Sequence, residues 1–141
     1  MNLTREQILA MPAGREMDAL VAERVMEIRV YWHHYYLTGD GKLTKCGPFL
    51  NGQDSCESVN RKVAGYSTDI SAAWRVVEKM RDALGHWELA HHIDDPRKCY
   101  AEFGGEYEPY DGWHTCKGCA LADTAPLAIC RAALLATLEP Q

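Results

Sequence analysis

A chain of 141 residues, 47% hydrophobic and 25% charged, has the make-up of one soluble globular domain with enough apolar material for an ordinary core. Its net charge of −5 excludes a general nucleic-acid binder, which needs a basic surface to displace counterions from phosphates, but leaves room for a local basic pocket. No apolar run reaches the ~18 residues needed to span a bilayer, and the first residues lack the basic-then-apolar layout of a signal peptide, so no membrane association and a cytosolic location are expected.

Thr4-x-x-Gln7 is a capping-box pattern that opens a short first helix, which Pro12 stops. A second helix starts near Gly14 with Met17, Leu20, Val21, Val25 and Ile28 as its apolar stripe, and with Arg15, Glu16, Asp18, Glu23 and Arg24 mostly outside it. Arg29 to Tyr36 is rich in β-formers and runs into Thr38-Gly-Asp-Gly41 and then Lys42 to Lys45, which predicts a hairpin. Residues 40–65 read as a long loop or insertion that includes Cys46 and Cys56. A third helix is expected from about Thr68 to Leu84, with Ile70, Ala73, Trp74, Val77, Met80 and Leu84 on one buried face and Gly85 as its stop. Trp87 to His92 and Lys98 to Phe103 alternate as strands joined across Asp94-Asp-Pro-Arg97, and Gly104-Gly105 ends the second. Residues 106–120 read as a second long loop.

The last segment, Leu121-Ala-Asp-Thr-Ala-Pro-Leu-Ala-Ile-Cys-Arg-Ala-Ala-Leu-Leu-Ala-Thr-Leu-Glu-Pro140, is a helix with Thr124 as N-cap and Pro126 in its first turn. From Leu127 to Leu138 only Arg131 and Thr137 are polar, so this helix must be enclosed by other elements or by a second subunit. Helices and hairpins in this order, without strand–helix–strand crossovers, predict an α+β fold with a mostly antiparallel sheet and a buried C-terminal helix in a single domain, 1–141.

Three phrases of the chain resemble the phage ABA sandwich domain, a family of small phage and prophage proteins. They are Met11-Pro-Ala-Gly-Arg-Glu-Met-Asp-Ala-Leu-Val-Ala-Glu-Arg-Val-Met26, Tyr66-Ser-Thr-Asp-Ile-Ser-Ala-Ala-Trp-Arg-Val-Val-Glu-Lys-Met80 and the terminal segment quoted above. The resemblance implies an α/β/α three-layer sandwich and a place in the cytoplasm of a bacterial host. It brings no general activity with it.

Trp113-His-Thr-Cys-Lys-Gly-Cys119 is the sharpest chemical motif. Two thiolates two residues apart can grip one Zn²⁺, and Cys116, Cys119, His114 and Cys99 form the expected set, with Cys46 and Cys56 as further candidates. The second half of a finger is absent, so a structural zinc competes with ordinary thiols in a reducing compartment. His91-His92 and His33-His34 lie on strands, where neighbours face opposite ways and cannot easily serve one centre.

Aromatic side chains flank the loops: Trp32, Tyr36, Tyr107, Tyr110 and Trp113 offer flat faces for a base. Arg61 and Lys62 could meet its phosphates, and Tyr66, Ser67 and Thr68 stand where the third helix begins, with Ser67 or Thr68 as cap and with N–H groups and hydroxyls that could also hold a phosphate or carboxylate of the ligand. The P-loop, dinucleotide, nucleophile-elbow and zinc-protease signatures are absent, which lowers the prior for an enzyme. The first expectation is a non-enzymatic small-molecule binder, a homo-oligomer that sequesters an anionic signalling nucleotide as an anti-defence sponge. The alternatives are a zinc-stabilised protein-interaction module and a small hydrolase.

Overall fold

The computed structural model describes residues 2–36, 43–50, 62–107 and 114–138. Among them are helices α1 (Arg5–Ala10), α2 (Arg15–Arg24), α3 (Ile70–Leu84) and α4 (Ala125–Thr137), and strands β1 (Tyr31–Tyr36), β2 (Leu43–Phe49), β3 (Trp87–His91), β4 (Cys99–Phe103), β5 (Glu106–Tyr107), β6 (His114–Thr115) and β7 (Gly118–Ala122). All ladders are antiparallel: β1 with β2, β5 with β6, and a three-stranded sheet in the order β3-β4-β7. The fold is α+β.

The terminal helix α4 is the centre of the packing. Thr124 caps it by accepting from the Leu127 N–H, Pro126 occupies its first turn, and Leu127 to Cys130 and Ala132 to Leu135 are all buried. It lies against β7 and β4 on one side and meets α3, α2 and α1 on others, so a single chain accounts for its enclosure. Arg131 ties the surroundings together. Its guanidinium donates to the Leu121 carbonyl at 3.0 Å and the Met11 carbonyl at 3.1 Å, joining β7 to the end of α1.

One face of the three-stranded sheet is built for this helix. Ala101 and Phe103 of β4 and Ala120 and Ala122 of β7 are buried, and they share that face with Gly118. A Cβ on Gly118 would collide with the Ala132 carbonyl and with Ala136, so helix and strand approach as closely as only glycine permits. Trp87 of β3 lies on the same face and meets Trp74 edge-on, with ring centroids 5.3 Å apart.

Several expectations shift here. The capping box of α1 is complete in both directions, between Thr4 and Gln7. In α3 the buried face is Ala72, Ala73, Val76, Val77 and Met80, while Ile70 and Trp74 are 50% and 40% exposed. The small side chains face α4 and let two helices come close, which outweighs the larger apolar area of Ile70 and Trp74. Among the described residues of the second expected loop, β5, β6 and the first part of β7 are strands.

Candidate functional site

Ser67 sits in the turn before α3 with no exposed surface. Its N–H and its hydroxyl both donate to the Asp18 Oδ1, each at 2.7 Å, and its oxygen accepts from the Gly14 N–H at 2.9 Å. Asp18 itself is buried on α2, not outside its stripe. The helix cap falls to Asp69, whose carboxylate accepts from the Ser71 N–H at 2.9 Å, and not to Ser67 or Thr68. Tyr66, 3% exposed, belongs to the core. Ser67 and Tyr66 therefore hold α2 and α3 together and leave no surface for a ligand; only Thr68 of that trio is exposed.

The hairpin of β1 and β2 is the first surface with binding character. Trp32 is half-buried over Gly47, where an added Cβ would stand 3.2 Å from its ring. The Arg15 guanidinium lies over the Trp32 ring at 5.7 Å from its centroid, and Arg29 lies over Tyr31 at 5.2 Å. Exposed Lys62 forms a bridge with Phe49, which pairs with Tyr31 across the hairpin. Trp32 with Arg15 and Tyr31 with Arg29 are thus neighbours along β1, and Lys62 joins the hairpin through Phe49 of β2; neither Arg15 nor Arg29 was a candidate from the sequence. The side chains of Tyr36, Tyr107 and His114 and the residues Arg61, Tyr110 and Trp113 lie outside the described parts, as do the Cys46 side chain and Cys56.

A second cluster occupies the sheet face turned away from α4. Register places Glu88 of β3 opposite Glu102 of β4, and Glu102 opposite Cys119 of β7. Glu102 has no exposed surface. The Tyr100 hydroxyl donates to its Oε1 at 2.8 Å, and His86 Nε2 stands 3.1 Å from its Oε2. Tyr100 also hydrogen-bonds Cys119; burial, followed by the Glu102 carboxylate, pushes its phenol well above the ordinary range. Cys116 and Cys119 are free thiols close to each other, and burial, followed by the hydrogen bond and charge of Cys119, pushes the Cys116 thiol up to about 12.

Two of the four expected zinc ligands are brought together here, Cys116 and Cys119. Cys99 is not with them. It pairs with Ala122 and lies in the alternation of Ala101 and Phe103, on the opposite face of the sheet. The histidines at the β3–β4 turn fall into a polar turn. His92 Nδ1 accepts from the Asp94 N–H at 3.3 Å and Asp95 accepts from the Arg97 N–H at 3.1 Å, with Arg97 drawing the Asp95 carboxyl below its usual range. A separate apolar cleft of about 500 Å³ between α1 and α2, lined by Leu3, Gln7, Ala10, Met11, Leu20 and Arg24, contains none of the candidate ligand or metal residues.

Fold and surfaces together describe a small α+β protein with a cationic, aromatic hairpin and a buried polar cluster behind its sheet. The chain belongs to the phage ABA sandwich domain family, whose model matches residues 19–134. Among solved structures it is similar to a phage protein from Bacillus cereus ATCC 14579, at 23% identity and a TM-score of 0.54, covering 94% of each chain. A likeness at this identity speaks for the fold. No curated protein matches the chain. Among the described residues no helix is long and apolar enough to cross a membrane.

Proposed function

We propose that this member of a phage family is a non-enzymatic binding protein for a small anionic ligand with an aromatic ring, working in the host cytoplasm as a homo-oligomer. The observation that supports it is the pairing of cations with aromatic faces at one hairpin, Arg15 on Trp32 and Arg29 on Tyr31, with exposed Lys62 bridged to its second strand at Phe49. A flat base stacks on such rings, and the guanidinium and ammonium groups neutralise phosphate. A signalling nucleotide of the cyclic or ADP-ribose-derived kind has this chemistry, and a phage protein that captured one would silence a defence that depends on it.

ADP-ribose and a cyclic dinucleotide are the probes. Ligand at 100 times its Kd should stabilise the protein by about 2.7 kcal/mol, a melting shift of several degrees, and Trp32→Ala or Lys62→Ala should abolish that shift. An unchanged melting temperature with both probes, together with a bare protein mass in native mass spectrometry, would overturn the reading.

A second reading is a protein-interaction module stabilised by zinc, favoured by the hydrogen-bonded Cys116 and Cys119 behind the sheet. It predicts zinc-dependent melting with no response to either nucleotide.

A further inference from the structure

We propose that His86, Glu88 and Glu102 form a binding site for one divalent transition-metal ion of the zinc class, on the sheet face turned away from α4. The ligand atoms of these three side chains all lie within 4.8 Å of one another. Their arrangement follows from strand geometry. His86 and Glu88 are two residues apart and so project from the same face, and the antiparallel register sets Glu88 directly across from Glu102. The His86 carbonyl accepts from the Gly104 N–H at 2.9 Å, which fixes the histidine at the start of β3 against the end of β4.

Three observations point to a cation. First, two carboxylates face each other across a strand pair, an arrangement that destabilises a sheet, and one of them has been taken wholly out of water. A metal ion between them turns that repulsion into attraction. Second, the Tyr100 hydroxyl takes Oε1 of Glu102 and leaves Oε2 on the side of His86, which orients the carboxylate as outer hydrogen bonds orient metal ligands. Third, His86 Nε2 and Glu102 Oε2 are hydrogen-bonded at 3.1 Å, so an ion that replaced the shared proton would find these two donors already near the ~3.3 Å that separates ligands about 2.0–2.1 Å from a tetrahedral zinc.

One imidazole and two carboxylates suit zinc or a neighbouring transition metal better than calcium, which takes oxygen ligands throughout. Three protein donors leave a fourth position for water or for a group of a bound molecule. His86 and Glu88 are exposed, so that position opens to solvent, while Glu102 anchors the ion from within. The site adjoins the Cys116–Cys119 pair, because Glu102 stands across from Cys119, but its ligands include neither thiol and it depends on neither reading given above.

The test uses the full chain, stripped with EDTA and dialysed, then titrated with zinc chloride by calorimetry and weighed by native mass spectrometry. His86→Ala and Glu88→Gln are the variants, since both side chains are exposed and neither substitution opens the core; a melting curve of each confirms that it is folded. Wild type should take up one zinc per chain, and each variant should weaken binding by about 10-fold or more. Cobalt in place of zinc should show no thiolate charge-transfer band. Failure of wild type to bind zinc overturns the proposal. So does a Kd that stays within about threefold in both variants, or a thiolate band in the cobalt spectrum, which would place the ion on the cysteines.

Discussion

Replacing Asp18 with alanine should destabilise the protein by about 2–4 kcal/mol, and the magnitude can be worked from its bonds. Asp18 Oδ1 receives two donors from Ser67, the backbone N–H and the hydroxyl. Hydrogen bonds to charged groups contribute roughly 1.5–3 kcal/mol each, and a buried donor left without a partner costs about 1–3 kcal/mol. The hydroxyl has somewhere to turn, because the Gly14 carbonyl lies 3.3 Å away and already shares its proton. The Ser67 N–H has no second acceptor among the described residues, so its stranding sets the larger part of the loss. Release of the carboxylate from a buried position offsets some of this.

Ser67→Ala keeps the backbone bond and removes only the hydroxyl, so it should cost about 1–2 kcal/mol. The double variant should fall short of the sum by at least ~1 kcal/mol, the coupling expected of side chains in direct contact. Urea unfolding followed by circular dichroism gives all three values. A loss under ~0.5 kcal/mol for Asp18→Ala would refute the claim that this bond set pins α2 to the start of α3.

The same carboxyl makes stability depend on pH. Burial lifts the Asp18 pKa above its ordinary 3.8, against the pull of the two Ser67 bonds. The native protein then holds this proton more tightly than the unfolded chain does. Its contribution is complete below about 3.8 and declines as pH rises through the native value. Asp18→Asn, which keeps an acceptor for Ser67 and cannot ionise, should therefore lose less stability than wild type across that window.

Two further outcomes are expected. Gly118→Ala should cost about 3 kcal/mol or more, or prevent folding, because its Cβ would enter the Ala132 carbonyl and Ala136 of α4; a melting temperature within a few degrees of wild type would contradict that close approach. Cys116, pushed up to about 12, and Cys130, raised by burial, should resist alkylation at pH 8 in the native protein and react in urea. Peptide mapping after a short iodoacetamide pulse reads this, and equal labelling in both states would count against the burial of the two thiols.

Local signals in the sequence proved the most legible. Thr4 with Gln7 and Thr124 with Pro126 announce their helices through side-chain chemistry that needs no distant partner. Both hairpins follow from alternation and turn residues, and the enclosure of α4 follows from its composition. What depends on packing was harder to read. The stretch Gly118-Cys-Ala-Leu-Ala122 has few β-branched or aromatic residues, and it is a strand because small residues let α4 press upon it.

The candidate residues divide in the same way. Asp18 looked like a surface charge, because its partner Ser67 is 49 residues away in the chain. Cys99 looked like a metal ligand until register put it on the far face of the sheet. His86, Glu88 and Glu102 went unnoticed: counting outward from Asp94–Arg97 sets Glu88 against Phe103, and only the observed register, with Ile93 also in the turn, sets it against Glu102. Arg15 and Arg29 were passed over as helix-surface and strand-flanking charges, and only the fold lays them on aromatic rings.

The central place of α4 has a consequence for how the protein comes into being. Synthesis runs from the N-terminus, so α1, α2, α3 and the β3–β4 hairpin all leave the ribosome before the helix they pack on. Until Leu127 to Leu135 follow, the core that holds Val21, Val77 and Phe103 lacks its central helix. The core can close only once α4 is made, and the apolar faces that it covers stay exposed until then. A stop codon anywhere before Thr124 would remove the keystone and yield a chain fit for proteolysis.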